Sequence, residues 1–349
     1  MTLGSKLIGH PRIRVTISYF LCYTLSMSKI KEVSDKIKNE VCQVFKGNTD
    51  VVDMLLACLF AGGHVLLEDL PGTGKTVLAK AVAKASGLSF NRIQCTPDLM
   101  PSDVTGSSVW LPDSKTFEFR AGPVMSSIVL VDELNRATPR TQSALLECMA
   151  EGQVSVDGTR HQLEKPFFVL ATENPVESEG TFPLPEAQKD RFMMTLSMGY
   201  PDEAEEAEII TAQRSLIHPV ENVKAVVGAT DILEAMKEAV EVHVDEAVLA
   251  YLISLSKASR NDVRIAAGVS PRGSIALYKA CQSYAAVNGR TFVTPEDVKL
   301  LARPVFRKRI ILTSDSILKG YSPESIISDL IEQRSEEHTS ELQSLLRIS

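Results

Sequence analysis

Short apolar runs recur along the first 200 residues, each followed by Gly-rich or polar punctuation and then by a helical pattern. Residues 64–67, 90–94, 127–131, 167–171 and 193–197 read as five strands, and 51–61 and 76–85 as helices. Runs such as Ser-Ile-Val-Leu-Val at 127–131 suit strands covered on both faces. Strands alternating with helices in this way predict a parallel α/β sheet flanked by helices.

Two stretches interrupt that rhythm. Residues 107–124 place Val109-Trp110 and Phe117–Phe119 on either side of Pro112-Asp113-Ser114-Lys115, as strands around a turn. Residues 153–163 carry Asp157-Gly158 between alternating positions, the strongest short-range hairpin signal. Hairpins hung on such a core are poor core material and suit contact with something else, or plain surface decoration. After Pro201 the pattern turns helical, with helices predicted over 231–239, 245–258, 271–288 and 295–306 and a short one starting at Ser322. Thr294-Pro295-Glu296-Asp297 has the cap, Pro and acid of a helix start. The acidic run 202–206 sits where a helix dipole favours it. A separate helical domain therefore begins near residue 200.

Composition narrows the function classes. The chain has 349 residues, 44% of them hydrophobic, one Trp and a net charge of −7, which suits a two-domain globular protein and argues against generic binding to nucleic acid or acidic membranes. No membrane span is expected. Its six cysteines show no CxxC pair, so they read as reduced core residues of a cytoplasmic protein. The ends differ from the middle. Residues 1–26 join basic Lys6, Arg12 and Arg14 to an apolar stretch without a clear cleavage site, and Met27 opens an amphipathic helix. The folded chain is expected to start at Met27, with 1–26 as upstream sequence read in frame. Residues 334–349 back-translate in part into a sequencing-library adaptor and are set apart from the fold. The expected organisation is thus 27–200 for the α/β domain and 201–333 for the helical one.

The chemistry lies at the strand ends. Glu68-Asp69-Leu70-Pro71-Gly72-Thr73-Gly74-Lys75-Thr76 follows the first strand and runs into a helix through Val77. This is the form of a phosphate-binding loop, with Asp69 where the motif's first Gly would stand. Unpaired N–H groups at the helix start, and its dipole, attract phosphate oxygens. Lys75 can reach the β/γ-phosphates and Thr76 can hold Mg²⁺, which implies a nucleotide as the ligand class. Asp132-Glu133 closes the third strand, where open α/β sheets bind ligands. Asp132 suits the Mg²⁺ shell, and Glu133 the orientation of an attacking water. Asn174 ends the fourth strand, within reach of the γ-phosphate or that water. Arg191, before the fifth strand, and Arg272, in Ser270-Pro271-Arg272-Gly273, are cations that could offset charge on the γ-phosphate, one in cis and one from a neighbouring subunit.

These elements follow one another in the order of AAA+ ATPases, and over residues 27–333 the chain resembles the MoxR family. Gly-Gly-His-Val-Leu-Leu-Glu at 62–68, Thr-Pro-Asp-Leu-Met-Pro-Ser-Asp at 96–103 and Asp-Glu-Leu-Asn-Arg-Ala at 132–137 carry the resemblance. So do Thr-Gln-Ser-Ala-Leu-Leu-Glu at 141–147 and Gly-Thr-Phe-Pro-Leu-Pro-Glu-Ala-Gln at 180–188. The resemblance implies a P-loop AAA+ core with a five-stranded parallel sheet, followed by a smaller all-α lid. It implies Glu133 as catalytic base, Asn174 as sensor 1, Arg191 as an arginine finger acting in trans and Arg272 as sensor 2. It implies that 107–124 is the helix-2 insert and that 153–163 is the hairpin before sensor 1, both near a ring's central pore. The segment Val44-Phe45-Lys46-Gly47-Asn48 lies where such proteins line the adenine pocket. MoxR-like proteins are hexameric, chaperone-like ATPases that often work with von Willebrand factor A domain partners to mature client complexes. Alternatives left open are a nucleic-acid motor, a metal-chelatase motor subunit and a small-molecule P-loop kinase.

Overall fold

The computed structural model describes residues 28–68, 72–174, 180–212 and 218–346, the last helix by its backbone alone beyond 334. Residues 1–27 and Pro71 of the phosphate loop lie outside the described residues. Helices Ser28–Val44 and Thr49–Phe60 lead into β1, Val65–Glu68. Helix Lys75–Ala85 and β2, Phe90–Gln94, come next. The hairpin of β3 (Gly106–Leu111) and β4 (Thr116–Ala121) precedes β5, Ile128–Asp132. Helix Pro139–Glu151 then runs into the hairpin of β6 (Gln153–Val156) and β7 (Thr159–Gln162), and β8 (Phe168–Glu173) and β9 (Met194–Leu196) complete the sheet.

The sheet is parallel, in the order β2-β5-β8-β1-β9. Side-chain alternation divides the core between its faces. Val65, Leu67, Ile128, Leu130, Phe168 and Leu170 pack against the first three helices and the second domain. Leu66, Val129, Val131, Val169 and Ala171 pack against helix Pro139–Glu151 and the hairpins. The ladder runs further towards the site than hydrophobicity alone predicts. Asp132 pairs with Gln94, and Thr172 and Glu173 pair with Leu67 and Glu68, so polar side chains end the ladder in register. β2 is not an apolar strand covered on both faces: as an edge strand it leaves Asn91, Arg92 and Gln94 exposed.

Both hairpins form. Asp157 and Gly158 have φ of 49° and 79°, the left-handed pair that a two-residue turn of matching twist requires. Helices Pro101–Thr105 and Pro139–Glu151 were not distinguished in the sequence pattern. The C-terminal part holds helices Glu203–Ala212, Ala229–Val240, Glu246–Asn261, Pro271–Val287, Pro295–Phe306, Ser314–Leu318 and Pro323–Leu346. The last runs on into the stretch set apart at 334–349. This part is not wholly helical, since β10 (Ile265–Ala267) and β11 (Ile311–Leu312) form a small antiparallel pair. No helix of the described residues is long and apolar enough to cross a membrane. Cys58, Cys95, Cys148 and Cys281 are buried free thiols, and Cys42 is half-buried.

Candidate functional site

The ends of β1, β5 and β8 open onto a cavity of about 340 Å³. Gly72, Thr73, Gly74, Lys75, Thr76 and Val77 line one wall, and Asp132, Glu133 and Asn174 line the other. Gly72 and Gly74 have φ of 86° and 88°, left-handed values that favour glycine, and Gly74 caps the helix that Lys75 begins. The first N–H groups of that helix lack intrahelical partners, so the wall is suited to an anion.

Polar contacts fix the opposite wall. Arg92 Nε lies 2.6 Å from Asp132 Oδ2, and Arg92 also donates to Gln94 Oε1 at 3.0 Å. Gln94 Nε2 and Arg136 each donate to Glu133 Oε2 at 3.0 Å. Glu133 sits at φ 56°, ψ 50°, a costly left-handed conformation for a non-glycine residue. Its N–H donates to Thr172 Oγ1 at 2.8 Å, and Thr172 reaches Asp132 Oδ1 at 3.4 Å. Thr172 therefore holds the turn on which both carboxylates stand. Behind them, burial first and then the charges of Asp132 and Glu133 push the Cys95 thiol up to about 12, which makes it an inert core residue. Asn174 is buried, and its carbonyl accepts from Asn135 Nδ2 at 3.3 Å.

A second, contiguous cavity of about 210 Å³ shares Gly72, Thr73, Gly74 and Val77 with the first. Val44, Phe45 and Lys46 line it, together with Ile209, Ala212, His218 and Pro219 from the C-terminal part. Gly47 and Asn48 do not line it. Gly47 turns the chain at φ 147°, and the Asn48 side chain caps the next helix by accepting from Asp50 N–H at 2.9 Å.

The two arginines stand outside both cavities. Arg191 is exposed and donates to Leu146 O at 2.9 Å. Arg272, with 62% of its side chain exposed, lies 3.8 Å from Asp190 Oδ2. Arg92, Gln94, Thr172 and Asp190 were not singled out in the sequence. The polar i, i+2 spacing of Arg92 and Gln94 on a strand whose neighbours are apolar was the available signal. The two hairpins meet away from this site, where Phe119 stacks on His161 with centroids 3.8 Å apart. Phe117, Phe119 and Val156 line a groove there, and Phe117 is 71% exposed.

Residues 64–194 match the ATPase family associated with various cellular activities (AAA), and 257–330 match the AAA lid domain. Chaperone MoxR1 of Mycobacterium tuberculosis is 39% identical, over 84% of this chain and 79% of its own length. The chain belongs to the MoxR family of AAA+ ATPases. YeaC of Bacillus subtilis, an uncharacterised protein, is 46% identical over 85% of this chain and 92% of its own length. A solved structure of a candidate ATPase from Cytophaga hutchinsonii superposes with a TM-score of 0.82 at 38% identity, covering 91% of this chain and 98% of that one. The MoxR assignment accounts for the AAA+ core followed by a lid.

Proposed function

We propose that this chain hydrolyses ATP as one subunit of a homohexameric cytoplasmic ring, coupling turnover to remodelling or maturation of client proteins. The observation that supports this reading is the meeting of the phosphate loop, Asp132, Glu133 and Asn174 around one cavity, while Arg191 stands outside it on an exposed surface. We place the domains at 27–200 and 201–333, which contain the two matched regions.

In this reading Gly72–Thr76 hold the phosphates, Val77 and the second cavity hold the base, and Lys75 offsets charge at the β/γ-phosphates. Mg²⁺ fits the site by its donors: Thr76 and Asp132 line the same cavity with hard oxygens, and Asp132 already carries a cation in Arg92. Bound there, the ion would neutralise phosphate charge. Glu133 takes the proton from the attacking water, while Gln94 and Arg136, both on Oε2, orient its carboxylate and lower its basicity. Asn174 orients the water or the γ-phosphate. Arg272 serves its own site from the lid, and Arg191 serves the neighbour's. The aromatic hairpins face the client, and a von Willebrand factor A domain protein is the partner class proposed.

Complementation tests the reading. Glu133→Gln and Arg191→Ala, each alone, should lower turnover by about 10²–10³-fold while nucleotide still binds. Mixed in equal amounts, they should recover activity at about a quarter of the ring interfaces, which pair an intact Glu133 with an intact Arg191. Absence of recovery in assembled mixed rings removes Arg191 from its trans role. Full activity of Glu133→Gln removes Glu133 as the base.

A further inference from the structure

Three consecutive cations follow lid helix Pro295–Phe306, and each reaches across to the core. Arg307 NH2 lies 3.2 Å from Glu68 Oε2, and Lys308 Nζ lies 2.5 Å from Glu68 Oε1, so both oxygens of one buried carboxylate are taken. Arg309 turns the other way. It holds Asp190 Oδ1 at 2.7 Å and donates to the carbonyls of Asp190, Phe192 and Met193. Its side chain is 4% exposed. Such buried pairs are costly to break from one side and hold their geometry firmly.

The anchoring points are informative. Glu68 is the residue before 69, where the phosphate loop starts, and Asp190 precedes Arg191. Asp190 also lies within reach of Arg272 and accepts from Ser270 Oγ at 3.1 Å. Glu173, the residue before Asn174, is the direct ladder partner of Glu68. Strand alternation puts Glu68 and Glu173 on the face opposite Asp132 and Thr172, away from the nucleotide cavity. Two buried carboxyls thus sit side by side on that face, and Glu173 Oε2 has no hydrogen-bond partner among the described residues.

We propose that Arg307-Lys308-Arg309 is a clasp through which the lid positions the phosphate loop, the Asn174 strand end and Arg191 together, with Glu68 and Asp190 as its core-side anchors and Glu173 paired beside Glu68 in the ladder. It rests on the ATPase reading for its consequence in turnover but not for its structure. The tripeptide grips two core points, the end of β1 at Glu68 and the Asp190–Met193 loop that carries Arg191, and the β8 end is tied to the first through the Glu68–Glu173 ladder pair. A tilt of the lid therefore pulls on both points, and on the β8 end through its pairing with β1. Burial first, then the Glu68 charge, raises the Glu173 carboxyl above the usual range, while Lys189 and Lys308 oppose the rise.

The full-length chain with Lys308→Met, Lys308→Arg, Glu68→Gln and Glu173→Gln tests the clasp. Thermal unfolding checks the fold, steady-state ATPase gives kcat and KM, and amide exchange reads segments 186–193 and 305–310. Lys308→Met and Glu68→Gln should lower kcat about tenfold, change KM by less than about threefold, and speed exchange in both segments. Lys308→Arg should restore kcat. Glu173→Gln, at a residue that receives no ion pair from the three lid cations, should change kcat by less than about threefold. Folded Lys308→Met with unchanged exchange and unchanged kcat overturns the clasp, as does Lys308→Arg that fails to rescue. If the wild-type chain hydrolyses no ATP, the ATPase reading falls. Exchange alone then decides the clasp: faster in Lys308→Met supports it, unchanged refutes it.

Discussion

The nucleotide cavity and the lid junction are both built from charged side chains at strand ends, yet they are held in opposite ways. In the cavity Asp132 and Glu133 stand at an open wall, and partly exposed neighbours, Arg92, Gln94 and Arg136, occupy their oxygens. At the junction Glu68 and Arg309 are almost fully enclosed, and their partners come from the other domain. Exposed pairs contribute little to stability and can exchange partners, whereas enclosed ones cannot lose a partner cheaply. The difference suits a site whose contacts can exchange beside a joint that holds its partners.

The most disruptive way to break that contrast is Asp190→Ala. It leaves Arg309 buried against carbonyls without its carboxylate, and denaturant unfolding should show a loss of about 3–5 kcal/mol. Lys75→Ala should do the reverse. Nucleotide affinity, read by calorimetry, should fall at least about 100-fold, with the melting temperature moving by no more than about 2 °C.

His64 tests the enclosed class by pH. It accepts from Val169 N–H at Nδ1 (3.1 Å), and its Nε2 lies 3.2 Å from Met149 O, a neutral ring with both nitrogens used. Burial lowers its pKa from 6.5 to about 4. The unfolded chain then binds a proton that the fold refuses, so stability is complete above 6.5 and falls as pH drops towards 4. The loss approaches about 3 kcal/mol, and His64→Gln should flatten the profile in urea titrations. The smallest expected effect belongs to the open wall. Gln94→Ala should change stability by less than about 0.5 kcal/mol and raise basal turnover by at most about tenfold, because it frees Glu133 from one charge-assisted hydrogen bond.

Much of this was legible in the residues. Apolar runs covered on both faces announced β1, β5 and β8, and Asp157-Gly158 announced a turn that needs two left-handed residues. Gly72–Thr76 and Asp132-Glu133 carry their chemistry in local spacing. Arg92 and Gln94 were not legible, because an edge strand of mixed polarity looks like surface until its register with β5 places Gln94 beside Asp132. Asn48 was ambiguous for a related reason: a polar residue before a helix can face a ligand or cap the helix, and its side chain caps this one. The Arg307–Arg309 run reads as a solvated basic patch until the lid folds back.

By itself, then, the amino-acid order determined the strands, the turns, the phosphate loop and the acidic pair, since each depends on residues within a few positions of one another. Only the tertiary structure decided what faces what: that Arg92 and Gln94 hold the carboxylates, that Arg191 and Arg272 stand outside the cavity, and that three lid cations grip Glu68 and Asp190. Those contacts join residues 39 to 240 positions apart, where Glu133 meets Gln94 and Lys308 meets Glu68. Coulombic and hydrogen-bond partners at such separations are chosen by packing, which local sequence does not record.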